Sequence, residues 1–396
     1  MPLIRNRRNL TEVREMMARR RLNYSSTFNT SQVPMGGDFL KDGEYFIEIQ
    51  VGKNNPKPFR VQVDTGSSDL GIPALGCSGC EEHIDTWYNP DETGAELLPC
   101  NNNLNCGMSV SYADGSGFKG VLYQDTVAFG SIKSPALVGA IYHQASKHFQ
   151  PYTIDGIIGF AYSSQSSSGG PTAFESMVAA GVVDNIFAMC LHGKGGQMYF
   201  GSEVMKTAEN LGEIKWVKQT SEGFYPVRML DLKVGGESIG VPPEIFNRGE
   251  AIVDSGSTAI TLPRTAFDGL RDFFYKKCKN GAKLKGICSQ THNAPLSKTL
   301  FNAEMCVAMS EDEIAAYPAF QFEFTDGVVL ELRPEHYLMT GSLLCDKEGY
   351  YSLGISSGNV ADGSILGDNF MQPFLTIFDR ANQRVGFVAI SPDQCR

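Results

Sequence analysis

The chain has 396 residues, a formal net charge of −10 and 42% hydrophobic residues. At about 150 residues per domain that allows two to three domains, each with a full core that needs no metal or disulfide staple. Charged residues are 20% and aromatics 10%, which excludes a largely disordered chain. No run of about 18 apolar residues occurs, which excludes a spanning helix, and the acidic balance argues against nucleic acid as a main partner.

Residues 1–22 carry seven arginines (Arg5, Arg7, Arg8, Arg14, Arg19, Arg20, Arg21) against Glu12 and Glu15, a net of +5 that leaves −15 on the remainder. A basic segment on an acidic body suggests an electrostatically docked appendage, and Leu10, Val13 and Met17 fall near helical spacing. The segment lacks a long apolar h-region, so no secretory signal is visible at Met1, and one removed ahead of it is expected. Residues 23–37 have a linker composition, and sequons lie at Asn9, Asn23 and Asn29.

From Gly43 onward the pattern is mostly strand, and glycine at 42 residues exceeds the usual share of about 7% and implies many tight turns. Phe59, Val61 and Val63 alternate with polar positions. Ser163–Gly170 reads as a surface loop. After Pro263 a helix is expected, with Thr265 as its cap, Asp268 at the capping-box position and Phe267, Leu270 and Phe274 on one face. Phe320, Phe322 and Phe324 alternate into Asp326-Gly327 and Val328–Leu332, a hairpin signal.

The sequence also repeats internally. Val61–Pro73 (VQVDTGSSDLGIP) aligns without a gap on Ala251–Pro263 (AIVDSGSTAITLP), with Asp64/Asp254, Gly66/Gly256, Ser67/Ser257 and Pro73/Pro263 identical. A second matching pair lies further along: Ile157-Ile158-Gly159 and Ile365-Leu366-Gly367. Two related β-lobes are expected, each presenting one aspartate at a strand end. Face to face, two such carboxylates about 3 Å apart cannot both ionise and share one proton. The carboxylate would take a proton from a trapped water, the water would attack a peptide carbonyl, and the carboxylic acid would donate to the developing oxyanion. That chemistry needs no metal, cofactor or covalent intermediate. Gly66 and Gly256 would let the two loops approach closely. Thr65 and Ser255 would bond across the dyad, and Ser67 and Ser257 would each donate to the adjacent aspartate.

These residues resemble the pepsin family (A1) of aspartic endopeptidases in zymogen form, with some memapsin- and nepenthesin-like features, and the resemblance covers nearly the whole chain. Met1–Arg5 and the basic residues after it resemble a pepsinogen-type prosegment, and Tyr45–Gly52 the first mature strand. Val110–Ser116 resembles the flap hairpin, with Tyr112 as the flap tyrosine. Asp155–Tyr162 and Ile365–Asp368 resemble the segments crossing behind each catalytic loop, and Phe378–Phe387 the C-terminal hairpin. The resemblance implies a mostly β, bilobal pepsin-like acid protease fold, two pseudo-symmetric β-lobes with a central cleft. Residues 1–36 would be prosegment and linker, 37–205 an N-terminal lobe with Asp64 and the flap, and 206–396 a C-terminal lobe with Asp254. It implies Asp64 and Asp254 as catalytic residues, Tyr112, Ala113 and Asp114 bordering an extended polypeptide substrate, and the prosegment as intramolecular inhibitor of a monomer. Three departures stand out. Gly71 replaces the tryptophan most pepsins carry seven residues after the first aspartate, so the partner of Tyr112 is open. The second motif is Asp-Ser-Gly. Residues 22–40 hold no Lys or Arg, so Arg19–Arg21, Lys41 or Tyr24 replaces the usual sealing lysine, or inhibition is steric.

Ten cysteines, several close together in turn-rich sequence, read as a disulfide framework in an oxidising compartment, hence the secretory pathway, with the protein secreted or in an acidic vacuole or lysosome. Cys278 and Cys288 flank one short loop. The resemblance implies Cys306–Cys345 and Cys190–Cys395. The pairing of Cys77, Cys80, Cys100 and Cys106 stays open, and Cys77-Ser-Gly-Cys80 also has zinc-ligand spacing, which the oxidising context disfavours. Gly115–Gly120 matches G-x-G-x-x-G but runs into a strand pattern, not a helix. Gly354–Gly358 matches G-x-S-x-G, with no histidine after it.

The function expected is acid proteolysis by aspartate-activated water, digestive or processing in role; the alternative is a catalytically inactive pepsin-like binding or inhibitor protein. Carboxylates paired with the basic segment would have lowered pKa values. Their hold is full at neutral pH and is lost as pH falls through those values. The full-length chain is therefore expected to cleave peptide at pH 4 after self-processing and not at pH 7. Equal cleavage at both without processing would contradict it.

Overall fold

The computed structural model describes residues 32–394, apart from 40–42, 81–86, 100–105, 114, 146–153, 289–297, 341–344, 346, 360–361 and 392. The basic segment with its expected short helix, the three sequons, Lys41, Asp114, Cys100 and Cys395 lie outside the described residues. The chain divides into two compact units. The first takes the described residues up to Gly37 with Glu44–Met189 and Lys194–Thr207; the second takes Asp38–Gly43, Cys190–Gly193 and Ala208–Arg396.

The first unit is built on one sheet. Along it lie the strands 195–200, 32–37, 45–51, 57–64, 156–159, 70–78, 132–144, 117–129 and 96–97, with 107–111 paired to 117–129. Tyr45–Val51 shows the one-faced pattern: Tyr45, Ile47, Ile49 and Val51 are fully buried and alternate with half-exposed residues. Lys57–Asp64 does not. Phe59, Val61 and Val63 are buried, but so are Arg60, Gln62 and Asp64. The strand is internal to the sheet, between 45–51 and the parallel 156–159, and the face expected to be polar is buried as well. The linker expectation fails at Gln32–Gly37, a strand pairing with 196–199 and 45–47, with Val33 and Met35 buried.

Ser163–Gly170 is more than a surface loop. The buried Asp69 carboxylate accepts from Ser166 Oγ at 2.7 Å and from the Ser167 and Ser168 amides at 2.8 and 3.4 Å. It acts as a clasp where no sheet partner is available. The helix Ala173–Ala179 starts from a capping box between Thr172 and Glu175.

The second unit holds a five-stranded sheet in the order 226–227, 251–253, 364–366, 260–262, 355–357, and smaller sheets around it. The expected hairpin forms: Phe320–Phe324 pairs with Val329–Leu332, and Asp326 and Gly327 both take positive φ, 65° and 74°, as a tight reversal requires. The helix after Pro263 spans Arg264–Lys279 and buries Ala266, Phe267, Leu270 and Phe274. Thr265 is not its cap. Pro263 holds that position with no side-chain cap bond, and Asp268 pairs with Arg271 at 2.6 Å. In the C-terminal hairpin, Asp379 accepts from the Asn382 amide at 3.2 Å and from Arg384 Nε at 2.7 Å, while Arg384 lies 3.8 Å over Trp216.

Cys77–Cys80, Cys278–Cys288 and Cys306–Cys345 are disulfides. The first removes the zinc reading of Cys77 and Cys80, and no group of metal-ligating side chains occurs among the described residues. Cys106 and Cys190 are disulfide-bonded as well; the expected Cys190–Cys395 bridge involves a residue outside those described.

Phe160 anchors the first core, with ring centroids 5.1–6.2 Å from Phe129, Phe174, Phe187 and Phe200. Phe160→Ala is expected to destabilise the protein by about 3–5 kcal/mol, read as a lowered midpoint in urea unfolding.

Candidate active site

Each repeat folds into the same local device, once in each unit. In the first, the strand Lys57–Asp64 ends at Asp64, 4% exposed. The chain then turns so that its next amides and hydroxyls point back at the carboxylate. Gly66 N donates to Asp64 Oδ1 at 2.8 Å, and Ser67 Oγ donates to Oδ2. Thr65 is fully buried, and Ser68 Oγ ties the loop to the Tyr162 carbonyl at 2.7 Å. In the second, Ala251–Val253 leads into Asp254, 7% exposed. Gly256 N donates to Asp254 Oδ1 at 2.8 Å and Ser257 Oγ to Oδ2 at 2.6 Å. Ser255 is fully buried, and Thr258 Oγ1 donates to the Gly43 carbonyl at 2.7 Å. The expected roles of Ser67 and Ser257 as donors to their own aspartates are thus visible in the geometry.

A neighbouring strand fixes each loop from behind. Gly156–Gly159 runs parallel to Lys57–Asp64, with Gly159 opposite Asp64, and Phe160 N donates to the Asp64 carbonyl at 2.8 Å. Ser364–Leu366 runs parallel to Ala251–Val253, and Asp254 N donates to the Leu366 carbonyl at 3.1 Å. Gly159, at the end of the first strand, and Gly367, just past the end of the second, have a steric reason. A Cβ on Gly159 would sit 2.4 Å from Ser68 N, and one on Gly367 would sit 2.4 Å from the Ser257 carbonyl oxygen. The obstacle is backbone in both cases, so no rotamer change relieves it.

The hairpin Gly107–Ser111/Gly117–Phe129 carries Tyr112 and Ala113 at its turn, closed by Tyr112 N to the Ser116 carbonyl at 2.9 Å. Tyr112 is half-buried and Ala113 exposed; Asp114 lies outside the described residues. The bare face of Gly71 is covered by Phe118, whose ring is 6.3 Å from that of Tyr112. Both rival motifs overlap strands, Gly117–Phe129 and Ile355–Ser357.

Sequence reasoning missed four contributing residues. Ser68 and Thr258 occupy one alignment column and both bear hydroxyls, a signal the repeat itself contained. Asp69 has no counterpart in the second repeat, where Ala259 stands. Phe118 falls inside the G-x-G-x-x-G match, which says nothing of its role, because that role depends on the absence of a side chain 47 residues away at Gly71.

The family model for eukaryotic aspartyl protease matches residues 44–390. The chain belongs to that family. Among this aspartyl protease's relatives, pepsin A of Bos taurus is 26% identical over 358 residues, 88% of this chain and 85% of the relative. Pepsin II-2/3 of Oryctolagus cuniculus is 28% identical over 372 residues, 92% and 85% respectively. Pepsin A of Rhinolophus ferrumequinum is 29% identical over 359 residues, 88% and 82%. The mostly β, pepsin-like fold is that of the family, and among the described residues no helix is long and apolar enough to cross a membrane.

Gly159→Ala and Gly367→Ala are each expected to displace the aspartate loop in front of them and destabilise their own unit by roughly 1–3 kcal/mol, the scale of a forced backbone shift in a packed interior. Thermal unfolding and limited proteolysis of each variant check this; wild-type midpoints would contradict it.

Proposed function

We propose that this aspartyl protease is a competent aspartic endopeptidase, made as a self-inhibited precursor, in which Asp64 and Asp254 share one water and one proton. The observation that carries the reading is the duplicated device. Two loops in separate units hold their carboxylates with the same pair of donors, an amide two residues on and a hydroxyl three residues on. A structural turn has no need to be built twice with the same side chains. In the proposed step the ionised carboxylate takes the water's proton as the oxygen attacks the peptide carbonyl, and the protonated one donates to the carbonyl oxygen. The tetrahedral intermediate then collapses: the carboxyl that took the water's proton gives it to the leaving nitrogen, the C–N bond breaks, and the other carboxylate takes back a proton from a hydroxyl of the intermediate, restoring the starting pair. The two serine hydroxyls stay on Oδ2 of their own aspartates and hold each carboxylate's plane.

Tyr112, Ala113 and Asp114 would border an extended polypeptide, with the hairpin closing over it to exclude bulk water. The basic segment 1–22 would act as intramolecular inhibitor of a monomer. Three disulfides in the described residues support an oxidising compartment, hence the secretory pathway, and the sequons at Asn9, Asn23 and Asn29 would carry glycans there. The second reading, an inert pepsin-like binding protein, is disfavoured because both aspartates, both motif glycines and Tyr112 are present.

Asp64→Asn and Asp254→Asn are each expected to lower kcat by roughly 10²–10⁴-fold and to weaken a statine-type peptide, while the unfolding midpoint changes little. Wild-type turnover in either variant would overturn the shared-water mechanism. A processed wild type that neither cleaves nor binds the statine peptide would favour the inert relative.

A further inference from the structure

Four neighbouring strands of the first unit carry an unusual row. Met108 on 107–111 is paired with Gly120 on 117–129, and Gly139 on 132–144 is paired with Gly71 on 70–78. Gly120 is opposite Ile141 and Gly139 opposite Leu122, so these two glycines are diagonal neighbours on adjacent strands. None of these glycines has a positive φ, so the backbone would accept a side chain at each. The requirement comes from what lies on top. A Cβ on Gly139 would sit 1.9 Å from Met108 Sδ and one on Gly71 2.6 Å from Phe118 Cζ, while one on Gly120 would sit 3.0 Å from the Ala140 carbonyl oxygen and 3.2 Å from Met108 Cγ. Met108 and Phe118, from the two strands of the Tyr112 hairpin, are 4% and 2% exposed. They lie in one cluster with Leu122, Ile141, Ile157 and Cys80, against which Tyr112 packs.

We propose that Gly71, Gly120 and Gly139 form a trough that seats the hairpin, and that Phe118 and Met108 are positioning residues that set where Tyr112 stands over the substrate. This rests on the reading of Tyr112 as the residue that closes over peptide. The trough is sensitive because Gly71 comes directly after the Asp64 loop: Leu70 and Gly71 pair with Ile158 and Ile157, on the strand that backs Asp64. One strand segment therefore registers the aspartate on one side and the hairpin on the other. Strand 107–111 pairs only with 117–129 among the described residues, so side-chain seating, not a second ladder, fixes its height.

The test is a mutant cycle in the processed enzyme, with active sites titrated by a statine-type peptide so that folded fraction does not enter. Gly71→Ala, which pushes the Phe118 ring out of the trough, is expected to lower kcat/KM on the order of tenfold to a hundredfold, the scale of a misplaced positioning group. Gly71→Ala with Phe118→Leu, which removes the ring end that clashes, is expected to recover most of it. In a Tyr112→Ala background Gly71→Ala is expected to add no further loss, because what it misplaces is already gone. Phe118→Leu alone, which leaves the trough part-empty, is expected to lower kcat/KM in the same direction and serves if Gly71→Ala does not fold. Additive losses in the Tyr112→Ala background, or unchanged kcat/KM in both single variants, would overturn the seat alone. An unchanged Tyr112→Ala enzyme would overturn the closing role of Tyr112 and the seat with it.

Discussion

A carboxylate removed from water must find donors, and the fold of each unit is organised to supply them. Asp64 and Asp254 are 4% and 7% exposed, a condition that is costly for an acid unless hydrogen bonds replace its hydration. The donors come from the next two or three residues along the chain, so the chain must reverse tightly after the strand. That reversal is stable only if something holds the loop from behind. The strands 156–159 and 364–366 do so in parallel register, and a glycine stands at the end of the first and just past the end of the second because the loop backbone passes where a Cβ would be. Motif, crossing strand and terminal glycine are one structural unit.

The two copies meet this requirement with different surroundings. The hydroxyl one residue beyond the donor serine, Ser68 or Thr258, anchors its loop in both. One reaches the Tyr162 carbonyl, the other the Gly43 carbonyl. The first copy adds Asp69, whose carboxylate gathers the 166–168 loop; the second has Ala259 there and no such clasp. The duplicated parts are those that hold the aspartate, and the divergent parts are those that connect it to its own unit. The hairpin belongs to the first unit alone, and its attachment through buried Met108 and Phe118 uses missing side chains as much as present ones.

The aspartate loops, the 320–332 hairpin, the 264–279 helix face and the family were legible in the sequence, because each depends on neighbours within a few residues or on a repeat that can be aligned. The cap of that helix was misread, since Pro263 at the boundary displaces the cap from Thr265. The polar face of 57–64 and the linker composition of 32–37 were misread for another reason: the first is buried on both faces and the second is taken up as a strand beside 196–199, and local composition and a period-two pattern report neither.

By itself the sequence determined that two copies of one aspartate-bearing turn exist, because identity in an ungapped repeat needs no coordinates. It also determined that Cys278 and Cys288 flank a short loop, because ten residues of separation keep them close. Only the tertiary structure decided that Cys77 pairs with Cys80, that Asp69 holds the serine loop, and that Phe118 lies over Gly71. Each of these depends on which of several eligible partners the folded backbone brings within a few ångströms, and local propensity and spacing carry no information about that choice.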